Sequence, residues 1–170
     1  MLPEISLASL TLEDGDEVFR VWSDFETVKL TNWAHTPTPE ACAERLQRVL
    51  ARYAAEPRHF GPLVIRDGER RFIGLIGADL HHEASNQYEV WYILCREAWG
   101  RGFASRALDE LLVLMRASGR VQTLMATVVT SNAASLRLLE RRGFERSGLL
   151  PGGHQKHGLV LDLFEYERAM

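Results

Sequence analysis

Trp99-Gly100-Arg101-Gly102-Phe103-Ala104-Ser105 is the stretch on which the reading of this chain turns. In front of it runs Gln87-Tyr88-Glu89-Val90-Trp91-Tyr92-Ile93-Leu94, whose β-branched and aromatic residues predict a buried strand. Behind it Ala104, Ala107, Leu108, Leu111, Leu112, Leu114 and Met115 recur at helical spacing until Ser118-Gly119 stops them. The segment is therefore a strand-to-helix turn with two glycines. The first amides of a helix lack internal partners, and the helix dipole adds partial positive charge there. Gly100 and Gly102 have no Cβ, so an anion can approach their backbone closely. Arg101 and Arg106 add full charges nearby. The chemistry is that of a phosphate-binding turn.

The nucleotide P-loop is absent, because no Gly-Lys-Ser or Gly-Lys-Thr follows. A dinucleotide fingerprint fits poorly: Ser105 holds the place of its third small residue, and Gln122–Thr130 contains no acid for a ribose. Instead, Trp99 to Ala104 resembles the pyrophosphate turn of the GNAT superfamily of N-acetyltransferases. Gly102 and Ala104 match; Trp99 stands where Gln or Arg is commoner. An aromatic followed by Gly-basic-Gly-aromatic-Ala is similar to the RimJ/RimL branch, which acetylates protein N-terminal amines. Asn132, Ser135 and the pair Gly143-Phe144 resemble a second block of that branch.

Composition sets outer bounds. The chain has 170 residues, 46% hydrophobic and 25% charged, as expected of one globular domain spanning 1–170. A net charge of −3 argues against a nucleic-acid partner. Cys42 and Cys95 suggest no disulfide framework. No apolar run approaches the roughly 18 residues of a membrane span, and Met1-Leu2-Pro3-Glu4 lacks the regions of a signal peptide. Cytoplasmic residence is the default expectation. The oligomeric state is open, a homodimer included.

Taken in order, Ile5–Leu10 reads as a strand. A helix follows with Val18, Val21, Trp22 and Phe25 on one face, capped by Thr11 and Asp14. A polar and aromatic connection from Thr27 to Thr38 leads to a second helix opening at Thr38-Pro39. Phe60–Arg66 and Arg71–Leu80 predict a hairpin with a tight turn at Asp67-Gly68. Gln122–Val129 follows the crossover helix and should lie parallel to 87–94. Ser131–Arg142 is helical, with Gly143 as its left-handed terminator. Phe144–Leu150 and Gly158–Tyr166 form a last hairpin around a Pro151–His157 loop. The fold class is mixed α/β. By resemblance it is a GNAT fold: a mostly antiparallel sheet, helices on both faces, and a parallel pair that splays apart. Whether the strands separate is not visible in the residues.

The resemblance implies acetyl-CoA as co-substrate, no metal, and a primary amine as acceptor. That acceptor is a protein N-terminus or a small molecule such as an antibiotic, polyamine, amino acid or aminoacyl-nucleotide. It places the pantetheine arm along Ile93, Leu94 and Cys95, and the diphosphate on the turn from Trp99 to Ser105. Arg101 then meets phosphate or stays on the surface. Asn132 holds the cofactor or merely caps its helix. Many relatives use a Tyr where this chain has Leu139; Ser135 would then donate the proton to the thiolate, unless it only supports the helix start. Glu89 suits a general base, or a solvated strand carboxylate. Trp33 and His35 border the acceptor or pack the helices, and His154 is a further acceptor contact. A lone Cys95 is a small buried hydrophobe before it is a nucleophile. His81-His82-Glu83 and His154-x-x-His157 lack companion ligands for a metal. The loss of the usual Tyr keeps a non-catalytic acyl-CoA-binding module open.

Overall fold

The computed structural model describes residues 3–170, so the reading of Met1 and Leu2 lies outside the described residues. Its elements are β1 (Ile5–Ser9), α1 (Gly15–Trp22), α2 (Phe25–Val28), α3 (Pro39–Ala55), β2 (Phe60–Asp67), β3 (Phe72–His82), β4 (Gln87–Leu94), α4 (Phe103–Ala117), β5 (Thr123–Val129), α5 (Ala133–Arg141), β6 (Glu145–Lys156) and β7 (Leu159–Ala169). The strands form one seven-stranded sheet in the order β1-β2-β3-β4-β5-β7-β6. All neighbours are antiparallel except β4 and β5.

Strand alternation divides β4 between two cores. Tyr88, Val90 and Leu94 join Leu108, Leu111 and Met115 of α4 and Leu139 of α5 on one face. Ile93 joins Val18 and Trp22 of α1 and Leu46 of α3 on the other. Burying each such side chain contributes about 1.5–3 kcal/mol, so β4 is anchored from both sides. The mixed α/β architecture with helices on both faces is as expected.

Three local readings need correction. The first helix stops at Trp22: the Ser23 hydroxyl donates to the Phe19 carbonyl at 2.6 Å, and Asp24 turns extended. Phe25, expected on the buried face, opens α2 and is 41% exposed. The β2–β3 turn is longer than an Asp-Gly hairpin. The Asp67 carboxylate accepts the amides of Glu69 and Arg71, and the left-handed residue is Arg70. Finally, Pro151–Lys156 belongs to β6 rather than to a loop. An irregular register between Leu150 and His154 absorbs Pro151 and the two glycines, and the turn narrows to His157-Gly158, both at positive φ. Among the described residues, no helix is long and apolar enough to cross a membrane.

Candidate active site

The site begins where a strand pair ends. β4 and β5 are joined only where Gln87, Tyr88 and Glu89 face Thr123, Leu124 and Met125. Beyond that point β4 stays with β3 as far as Leu94, and β5 stays with β7 as far as Val129. No ladder connects Val90–Leu94 with Ala126–Val129, so the sheet opens into a V.

Backbone direction then decides what the opening offers. The Cys95 amide donates to the Ile73 carbonyl at 2.9 Å. The β3–β4 register is unbroken from Leu94 back to Glu89. Alternation along it therefore turns the polar backbone groups of Ile93 and Trp91 toward β3 as well, and those of Tyr92 and Leu94 toward the opening. This corrects the expected trio: Leu94 faces the seam with Tyr92, while Ile93 and Cys95 do not offer it backbone groups. The Leu94 carbonyl accepts the Trp99 indole N–H at 3.0 Å, which ties the strand end to the turn.

At that turn Gly100 and Gly102 have φ of 70° and 84°, the left-handed region that favours glycine. Gly102 caps α4, and among the described residues no amide from Gly100 to Ser105 donates a hydrogen bond within the chain. Those amides border an outer cleft of about 490 Å³ lined by Ile93, Leu94, Trp99, Gly100, Gly102, Phe103, Ala104 and Ser105. Arg137 and Arg141 of α5 close its far side. Neither forms a salt bridge among the described residues, so their charges are free for an anion. Arg101 lies outside this wall: it is exposed, over the Phe103 ring at 5.1 Å, with Nη1 3.4 Å from the Glu97 carbonyl.

An inner cavity of about 100 Å³ fills the V itself. Glu89, Trp91 and Trp33 bound it toward α1 and α3, and Tyr92, Asn132, Ser135 and Leu139 toward α5. Inner cavity and outer cleft share Leu30, Thr31, Tyr92, Asn132 and Ser135. Glu89 is the one charged residue in the inner wall; its Oε1 accepts the Thr127 hydroxyl at 2.9 Å. Across the V, the Tyr92 and Ser135 hydroxyls are hydrogen-bonded at 2.9 Å. Burial pushes the Tyr92 phenol up to about 12, the Ser135 hydrogen bond acting in the opposite sense. Asn132 does cap α5, its Oδ1 accepting the Ser135 amide at 3.3 Å, which leaves its amide nitrogen for the cavity.

Trp33 is fixed between Trp22, stacked at 5.3 Å, and Trp91, edge-on at 5.0 Å. Trp91 lies over Gly77, where a Cβ would come within 2.5 Å of its ring. His35 and His154 line neither space. His35 Nε2 is 2.9 Å from the Ser23 carbonyl, and His154 is buried within β6 with Nε2 unpartnered. Cys95 is 4% exposed, and burial pushes its thiol up to about 11, the wrong direction for a nucleophile. No cluster of three metal-ligating side chains exists among the described residues.

Sequence reasoning placed Tyr92 within the strand before the turn but missed its meeting with Ser135, and it missed Thr127 altogether. Both depend on how α5 and β5 dock, which no local pattern encodes.

Comparison with known proteins gives this geometry a family. Residues 4–145 match the model of the acetyltransferase (GNAT) domain. The uncharacterised N-acetyltransferase p20 of Bacillus licheniformis is 25% identical over 95% of this chain and 90% of its own. Among solved structures, a ribosomal-protein-alanine N-acetyltransferase from Brucella melitensis superimposes with a TM-score of 0.81 at 24% identity, covering 97% of this chain and 99% of that one. The microcin C7 self-immunity acetyltransferase MccE, solved with acetyl-CoA and AMP, gives 0.86 at 18% identity over 98% and 93%. The open strand pair, the glycine turn and a family match over most of its length together make this chain a member of the GNAT acetyltransferase family, and so an acetyltransferase enzyme.

Proposed function

We propose that the chain transfers acetyl from acetyl-CoA directly to the α-amine of a protein or peptide N-terminus, as its resemblance to the RimJ/RimL branch implies. The observation that carries this reading is the meeting of two spaces in one seam. A long cleft edged by unpaired amides and two free arginines joins a small cavity holding a single carboxylate. The residues present fit acetyl-CoA. Amides of Gly100–Ser105 with Arg137 and Arg141 would hold its diphosphate. The backbone of Tyr92 and Leu94 would pair with its arm as an added strand.

A bound thioester supplies an activated acyl group, so the chain needs no nucleophile of its own. Glu89, steadied by Thr127, takes the proton from the acceptor ammonium. The amide N–H groups facing the seam stabilise charge developing on the carbonyl oxygen. Ser135, which borders both spaces, donates to the leaving sulfur. The inner cavity favours a small amine-bearing end group: its volume is slight, Trp33 and Trp91 wall it, and a polycation would lack the several carboxylates it needs.

The test is acetyl-CoA turnover against peptides with small N-terminal residues, beside polyamines and free amino acids. Peptide acetylation at the α-amine is expected; transfer confined to small amines would replace this acceptor. Glu89→Gln should lower kcat by roughly 10²–10³ at neutral pH, with CoA affinity by calorimetry unchanged. A wild-type rate would remove Glu89 as base.

A further inference from the structure

Four hydroxyls line the inner cavity, those of Thr31, Tyr92, Thr127 and Ser135. Each carries one proton, and their bonds show where the protons go. Thr127 spends its proton on Glu89. Thr31 spends its own on the Val28 carbonyl at 2.8 Å. Only the Tyr92–Ser135 pair remains, with two protons and one mutual bond at 2.9 Å. One O–H of this pair is therefore free for a substrate.

Which one is a matter of acidity and place. A phenol is the stronger donor and an aliphatic alcohol the better acceptor, so the shared proton belongs to Tyr92. Burial keeps that phenol neutral at physiological pH, so its proton is always present. A serine in a first helical turn commonly bonds to nearby backbone instead. Here its Oγ is held across the seam, and Leu139, one turn further on, brings no competing hydroxyl.

We propose that Tyr92 is a positioning residue: by donating to Ser135 Oγ it aims the Ser135 O–H at the leaving sulfur. The inference rests on the acetyl-transfer reading above. The protons balance. As the C–S bond breaks and the N–C bond forms, the sulfur gains the Ser135 proton. Tyr92 keeps its own proton throughout. The acceptor ammonium sheds two protons, one through Glu89 to solvent and one that restores the pair.

Tyr92→Phe deletes only the phenolic oxygen and is measured beside Ser135→Ala and the double variant. Tyr92→Phe is expected to lower kcat by about tenfold or more, with KM for acetyl-CoA within about twofold. The double variant is expected to be no slower than Ser135→Ala alone, because the two act as one unit. A merely structural Tyr92 would instead lower the melting temperature and multiply with Ser135→Ala. A wild-type kcat in Tyr92→Phe, or losses that multiply, overturns the inference while leaving acetyl transfer standing. A wild-type protein that acetylates no amine overturns the function reading itself.

Discussion

The two ends of the β4–β5 pair are built from the same two strands to opposite purposes. At the closed end, Tyr88 and Leu124 sit opposite each other, both almost wholly buried, and the ladder supplies their backbone partners. At the open end, the walls carry Glu89, Thr127, Tyr92, Asn132 and Ser135. The change falls within one residue, between Glu89 and Val90. Paired backbone and apolar contact stabilise the first end. The second leaves backbone groups facing a cavity, which costs about 1–3 kcal/mol per buried group left unsatisfied. The contrast teaches that the opening is held by its surroundings: β3 on one side, β7 on the other, and a core on each face.

Breaking the closed end should produce the largest effect. Leu124→Ala empties a fully buried position and is expected to cost about 2–5 kcal/mol of stability, read as a lowered denaturation midpoint. Affinity for CoA below the transition should change little. A large loss of affinity with intact stability would show that the two ends are not separable.

The open end is probed at its turn. Gly102→Val puts a β-branched residue at a φ of 84° and blocks approach to the helix amides. CoA affinity should fall by about a hundredfold, or about 2.7 kcal/mol, while the circular dichroism spectrum stays that of the parent. An unchanged dissociation constant would contradict the phosphate role of the turn.

The smallest effect concerns an ion pair that ties the end of β4 to the start of α2. Arg96, just beyond β4, bonds Asp24, just before α2, at 2.6 and 2.9 Å. The Arg96 guanidinium holds the Asp24 carboxyl below its ordinary 3.8. A depressed folded pKa contributes stability above the unfolded value and loses it as pH falls through the folded one. Asp24→Asn should therefore be less stable than the parent at neutral pH, by no more than about 1 kcal/mol for so exposed a pair. The difference should start to shrink as pH falls to 3.8 and vanish only once it has passed below the depressed folded value. A gap that persists in acid would assign the effect to packing instead.

Much of the fold was legible in local pattern. Hydrophobic periods marked the strands around the turn and the helix after it, and Gly143 terminates α5 as its position implied, at a φ of 75°. Where reading failed, side chains had intervened. The Asp67 carboxylate lengthened a turn, and the register shift around Pro151 turned a loop into strand. Of the candidate site, the backbone of the turn was legible and the side chains around it were not. Gly100 and Gly102 announced themselves because few other residues tolerate their backbone, whereas His35 and His154 resembled site residues only by type.

By itself, then, the sequence determined the glycine turn, the strand leading into it and the amides it leaves without partners, since these follow from residues adjacent in the chain. Only the tertiary structure decided that β4 and β5 part after Glu89, that Tyr92 rather than Ile93 turns its backbone to the gap, and that Tyr92 and Ser135, 43 residues apart, share a hydrogen bond. Those depend on register and docking, which are set by what lies across the sheet and not by what lies along it.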